Sequence, residues 1–240
     1  MIDNEAAAEQ ARRVLRRDPR IDFDHQAMNL TFANGELLLS GEVVHIAAKR
    51  RAVERAATAP LVTTVFDELR VRPTEVLADA EISDLVCRAL VEEPALAGCT
   101  MRKRVRGRFS FVHSPVTSVG RIDVGLARGV VTLSGEVPSL AQKRLAGALA
   151  WRVPGTRDVV NSLDVRPAED DSDDAVCDAV RLVLDRDSGI HAAGIRVAAE
   201  NGHVRLDGTV PAASEIAAAE HDAWFVFGVR DVVNRLVVGA

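Results

Sequence analysis

Tyrosine is absent from the 240 residues, tryptophan occurs twice, and lysine and cysteine three times each. Cys87, Cys99 and Cys177 are odd in number and lack CxxC spacing. That excludes a closed disulfide framework and reads as reduced thiols in a cytosolic protein. No stretch approaches the ~20 apolar residues of a membrane-spanning helix. The opening MIDNEAAAEQARRV carries acids and lacks the apolar core of a secretory signal. The expectation is a soluble, cytoplasmic protein, at most peripheral to the inner membrane. Catalytic signatures are equally missing: there is no GxxxxGK[ST], GxGxxG, HExxH, GxSxG or EF-hand loop. The six histidines recur at no common position, so no metal, cofactor or catalytic residue is expected. A net charge of −5 gives no global attraction to nucleic acid or anionic membrane. Arginine is abundant, but an Ala-, Val- and Arg-rich chain reads first as codon bias.

What is present is a signature that occurs three times. Asn34-Gly35-x5-Gly41, Arg128-Gly129-x5-Gly135 and Asn201-Gly202-x5-Gly208 share one spacing, and a leucine follows each second glycine by 28 residues, at Leu69, Leu163 and Leu236. Two distances matched three times mark a tandem array of one small module. Each module is large enough for its own core.

Each repeat opens on a segment with helical apolar spacing: Ala6–Arg17, Asp79–Glu92 and Asp173–Asp185. Asp18-Pro19 and Glu93-Pro94 stop the first two, because proline pushes its predecessor out of helical geometry. Alternating runs then flank Asn34-Gly35 and Asn201-Gly202, the strongest short hairpin signal. Arg128-Gly129 is a weaker version. A second helix follows Gly41, Gly135 and Gly208, with alanine pairs at Ala52/Ala56, Ala146/Ala150 and Ala219/Ala223 that let it lie close on a sheet. A last strand begins after Gly155 and Gly228, where the first module has Leu61. Strand-helix-strand requires a crossover, so the last strand should run parallel to the second. The fold class is α+β: three tandem α-β-β-α-β modules, each a three-stranded mixed sheet covered by two helices, packed against each other because small modules expose apolar edges.

The glycine-valine-leucine pattern, the amphipathic helix and the closing G-V-x-x-V-x-N-x-L resemble the BON domain family. The third module carries Gly202, Val204, Leu206, Gly208, Val210, Gly228, Val229, Val232, Asn234 and Leu236. The second matches through Gly129, Val131, Leu133, Gly135, Val137, Gly155, Val159, Asn161 and Leu163. The first, with Gly35 and Gly41, diverges at Leu61 and at Asp67 in place of asparagine. The modules span residues 6–73, 79–167 and 172–239. The resemblance implies a non-enzymatic binding module whose glycines are structural. In envelope proteins the family is proposed to contact phospholipid; some cytosolic members are associated with sensing a ligand or K⁺. The candidates are therefore an adaptor on anionic phospholipid or an envelope-associated partner, a K⁺ or small-ligand sensor, and a protein-interaction scaffold.

One segment has no counterpart in the sister modules. From helix-ending proline to hairpin glycine takes 16 residues in module one (Pro19 to Gly35) and 35 in module two (Pro94 to Gly129). The extra residues, about 101–120, hold Arg102, Lys103, Arg104, Arg106 and Arg108 without one acid, beside alternating Phe109 and Phe111. An extra hairpin arm that binds polyanions is the expectation, with phospholipid favoured over nucleic acid. The competing reading is neutralisation inside the protein by Glu92, Glu93 or the acidic linker Glu169–Asp174. Cys99, beside this segment, is the one thiol for which a lowered pKa is worth testing.

Overall fold

A computed structural model describes residues 4–239. The chain divides into two compact units, residues 1–72 and 73–240. Module one runs α1 (Asn4–Arg16), β1 (Ala27–Ala33), β2 (Glu36–Val43), α2 (Ile46–Ala57), β3 (Thr64–Val71). Module two runs α3 (Asp79–Glu92), β4 (Cys99–Val105), β5 (Arg108–His113), β6 (Gly120–Ala127), β7 (Val130–Val137), α4 (Leu140–Arg152), β8 (Asp158–Val165). Module three returns to α5 (Asp173–Asp185), β9 (Ile195–Glu200), β10 (His203–Val210), α6 (Ala213–Phe225), β11 (Asp231–Val238).

The register explains the repeat. Gly41 pairs with Leu69, Gly135 with Leu163 and Gly208 with Leu236 in the parallel ladders β2–β3, β7–β8 and β10–β11. The 28-residue interval is thus one strand-helix-strand crossover. A Cβ at those glycines would lie 1.8–2.1 Å from the carbonyl oxygen of Ala27, Arg121 or Gly194 on the neighbouring strand, so no other residue fits. Each hairpin turn has two successive residues at positive φ, Asn34-Gly35, Arg128-Gly129 and Asn201-Gly202, the geometry that matches strand twist. The alanine pairs of α2, α4 and α6 are all fully buried, so these helices sit close on their sheets.

Leu61 takes the same left-handed turn as its glycine counterparts, with φ +68° against +85° at Gly155 and +98° at Gly228. The turn persists because the residue two places on, Thr63, Arg157 or Arg230, donates its N–H to the hairpin glycine oxygen at 2.8 Å in every module. The departure in sequence therefore leaves the geometry intact at a steric cost.

Module two differs from its sisters in sheet size. Its β6-β7-β8 core is extended to five strands in the order β5-β4-β6-β7-β8, where modules one and three have three. The insertion is not a projecting arm: β4 lies parallel against β6 with Lys103 beside Val124, and β5 folds back antiparallel on β4. Its turn, Arg106-Gly107, repeats the positive-φ pair of the other hairpins.

Within the second unit the helical layers of modules two and three pack on each other, α4 lying against α5 and α6. The Trp151 and Phe225 rings stack with centroids 6.1 Å apart. Arg152 of α4 bonds the Asp222 carboxylate of α6 through two nitrogens, and donates to the Val183 carbonyl at 3.0 Å. Arg186 at the end of α5 reaches back to Glu93 at 3.0 and 3.1 Å. Arg144, fully buried in α4, donates to the Phe227 carbonyl and to Asp171 of the linker.

Candidate functional site

The β4–β5 hairpin separates the five cations into two sets. Strand alternation sends Lys103 to the helix side, where its ammonium lies 2.6 Å from Asp84 of α3. Arg102 lies on the opposite face and grips Asp123 of β6 through two bonds of 2.6 and 2.7 Å. Asp123 is only 6% exposed, and Arg121 approaches it from the other side at 3.2 Å. These carboxylate partners raise the pKa of both Arg102 and Lys103. Two cations are thus neutralised inside the module, by Asp84 and Asp123. Of the acids nominated from sequence, Glu93 is held by Arg186 and Asp171 of the linker by Arg144.

Arg104, Arg106 and Arg108 remain exposed towards the hairpin tip. Among the described residues none of them has a carboxylate partner. The Arg104 guanidinium stands 5.7 Å from the Phe109 ring centroid and that of Arg102 4.3 Å from it, so both cations lie within cation–π reach of the ring. Phe111 beside it is 68% exposed, and Val112, Val116 and Val119 continue an uncovered apolar run. The hairpin thus carries three exposed arginines, Arg104 on β4, Arg106 in the turn and Arg108 on the edge strand β5, beside the rings of Phe109 and Phe111.

The thiols are buried and burial pushes them up, Cys87 to about 11. Cys99 shifts upwards for the same reason, so the lowered pKa entertained for it is overturned: it is wholly buried and no cation touches its sulfur. Among the described residues no three His, Cys, Asp or Glu side chains gather to hold a metal ion, and no helix is long and apolar enough to cross a membrane.

Sequence reasoning missed one repeated device. Asp79 accepts the N–H groups of Arg128 and Gly129 at 2.7 and 2.9 Å, and Asp173 accepts those of Asn201 and Gly202 at the same distances. A carboxylate at the start of the first helix thereby clamps the hairpin turn. These bonds lower the pKa of Asp173. Read along the chain, Asp173 was one acid in a charged linker; the signal lay in its match to Asp79 at each helix start.

The sequence profile of the BON domain family matches residues 3–73, 101–167 and 172–240. The osmotically-inducible protein Y of Escherichia coli (strain K12) is 35% identical over 121 residues, 48% of this chain and 60% of that protein. This chain therefore matches less than two thirds of that relative's length. Two solved structures of CdsD, a structural protein of the type III secretion system of Chlamydia trachomatis, align with 100% and 96% of this chain and 100% and 91% of their own. Their identities are 18% and 17% and their TM-scores 0.26 and 0.25, too low to bear on fold or function.

Proposed function

Because this chain belongs to the BON domain family, we propose that it is a binding protein without turnover, an adaptor that meets anionic phospholipid through the β4–β5 hairpin of module two. The observation that carries this reading is the set Arg104, Arg106 and Arg108, exposed and without carboxylate partners beside Phe109 and Phe111. Near an anionic bilayer each basic residue contributes about 1 kcal/mol, so three supply about 3 kcal/mol. Alone that corresponds to millimolar binding. Entry of the Phe111 ring, and of Val116 in the loop after β5, strengthens it. The ionic part weakens with salt, since screening acts over about 8 Å at physiological ionic strength. The osmotically-inducible relative supports a role in a stress response.

Co-sedimentation with phosphatidylglycerol vesicles, beside neutral phosphatidylcholine vesicles, tests it. Binding should appear only on anionic vesicles, fall at high salt, and vanish when Arg104, Arg106 and Arg108 are all changed to Ser. Equal binding by that variant, or no binding by the parent at low salt, would reject this reading. A thermal-shift series in K⁺ against Na⁺ run in parallel would reveal an ion sensor instead.

A further inference from the structure

Each first helix is followed by an acid at the same place: Asp18, Glu93 and Asp187 each stand three residues after a buried leucine, Leu15, Leu90 or Leu184. Each accepts the N–H of the residue two places on, Arg20, Ala95 or Gly189, at 3.1, 3.0 and 2.7 Å. Each also holds a guanidinium, and the source of that guanidinium separates the modules. Glu93 takes Arg186 of module three and Asp187 takes Arg152 of module two, so both acids serve the seam. Asp18 takes Arg20 and Arg55 of its own module, at 3.2 and 3.1 Å. Arg55 lies on α2 three residues after Ala52, where the sister helices place Leu149 and Asp222.

Around Asp18 module one has a cleft of about 490 Å³, lined by Arg17, Arg20, Arg55 and Thr58. Asp18 is the one acid among the described residues that line it, so three arginines leave an excess of two positive charges. The ends of α1 and α2 contribute roughly half a negative charge each, which leaves the cleft cationic. Arg17 is the counterpart of Arg186, each standing two residues after the leucine of its helix. Arg186 grips the Glu93 carboxylate through two nitrogens, at 3.0 and 3.1 Å. Arg17 is exposed and, among the described residues, has no carboxylate partner. Arg55 gives Asp18 only its Nε, and its two terminal nitrogens meet no acceptor among the described residues.

We propose that this cleft binds a phosphate monoester, with Arg17 and Arg55 donating to its terminal oxygens and Asp18 holding the Arg20 and Arg55 guanidinium groups in place. The Arg186–Glu93 pair is the template, a guanidinium at this position closed on an oxyanion. A carboxylate has two oxygens and satisfies one guanidinium fork, as Glu93 does. Two forks lining one cleft call for the three terminal oxygens and two charges of a phosphoryl group.

The test titrates the full chain, isotope-labelled for amide NMR, with glycerol 3-phosphate at constant ionic strength, beside acetate. Saturable shifts are expected at the amides of Arg17, Asp18 and Arg20 and along Arg55–Thr58, with the amide of Leu39 unmoved. Acetate should bind about tenfold more weakly, since it offers one charge and two oxygens. Arg17→Ser removes an exposed side chain without a carboxylate partner, so it should weaken the phosphate about tenfold and leave the melting temperature unchanged. Arg17→Lys should recover only part of that loss, because an ammonium lacks the fork. Vesicles containing phosphatidic acid, offered to the chain with Arg104, Arg106 and Arg108 changed to Ser, separate two sources of the monoester. Arg17-dependent capture of those vesicles assigns a lipid headgroup; Arg17-dependent binding of glycerol 3-phosphate alone assigns a soluble ligand. No shifts at millimolar glycerol 3-phosphate, an equal response to acetate, or full affinity in Arg17→Ser would overturn the proposal. The cleft lies in module one, so its failure leaves phosphatidylglycerol binding by module two standing, and the reverse.

Discussion

The Lys49 ammonium lies 2.7 Å from an Asp67 carboxylate oxygen and 2.6 Å from the Leu69 carbonyl, in the place where the sister modules use an asparagine. There Asn161 and Asn234 donate to the carbonyls of Lys143 and Ile216, each 18 residues earlier, at 2.7 Å. Eighteen residues before Asp67 is Lys49 itself. A carboxylate cannot donate, so the lysine side chain brings the missing donor into the site. Asp67→Asn alone should destabilise module one by about 3 kcal/mol, because a buried ammonium loses its carboxylate. Lys49→Met with Asp67→Asn should recover most of that loss by reproducing the sister arrangement. Hydrogen exchange at β2 and β3 amides under denaturant distinguishes the two variants; equal protection in both would reject the coupling.

Leu61 is 50% exposed, so its side chain gains little from burial while its backbone sits in the left-handed region. For a non-glycine residue that conformation costs roughly 1–2 kcal/mol. Leu61→Gly should therefore stabilise module one, by about 0.5–1 kcal/mol once the added freedom of the unfolded chain is subtracted. A rise in denaturation midpoint without a change in slope is the expected signature.

The repeat, the helices and the crossover were legible because each is written in short-range spacing: glycines that must meet a neighbouring carbonyl, apolar residues on one helical face, Asn-Gly at a turn. The destination of the insertion was not. Whether β4 and β5 project as an arm or join the sheet depends on Met101 and Cys99 finding a buried place under α3, a long-range packing decision. The fate of the cations was hidden for the same reason. Asp123 looks like an ordinary strand residue in sequence, and only the register of β4 on β6 places it opposite Arg102. The seam between modules two and three, with Arg152 on Asp222, left no local signature at all.

That seam and module one should respond to acid in opposite directions. Burial pushes the Asp222 carboxyl up to about 6 despite Arg152, with Asp187 adding to the rise. A carboxyl whose folded pKa exceeds its unfolded value of about 3.9 holds its proton more tightly when folded. The second unit should then lose stability, by roughly 3 kcal/mol, as pH rises from about 4 to 6, and be level above. Asp18 in module one is partly buried, which raises its pKa, but bonds from Arg20 and Arg55 outweigh this and hold it at about 2. Its contribution of about 2 kcal/mol is complete above pH 4 and is lost as pH falls towards 2. Thermal melts from pH 3 to 7 followed by residue-specific exchange would separate the units. Asp222→Asn should flatten the slope between pH 4 and 6 and leave module one unchanged; a persisting slope would assign it to another group.

The two sets of hairpin cations should separate stability from binding. Arg102→Ser would leave Asp123, only 6% exposed, with Arg121 alone, and would remove one of the two guanidinium groups over Phe109. Breaking a buried ion pair from one side costs about 3–5 kcal/mol, and the remaining Arg121 contact brings the expectation to about 2–3 kcal/mol. Arg106→Ser with Arg108→Ser removes only exposed side chains that lack carboxylate partners, so stability should stay within about 0.5 kcal/mol of the parent. Vesicle binding should show the reverse order: the exposed pair weakens attachment and its salt dependence, whereas Arg102→Ser at a temperature where it remains folded does not. If Arg102→Ser instead abolished binding while the melting temperature held, the internal ion pair with Asp123 would have to open on the membrane. The division of the cluster into clamp and contact would then be wrong.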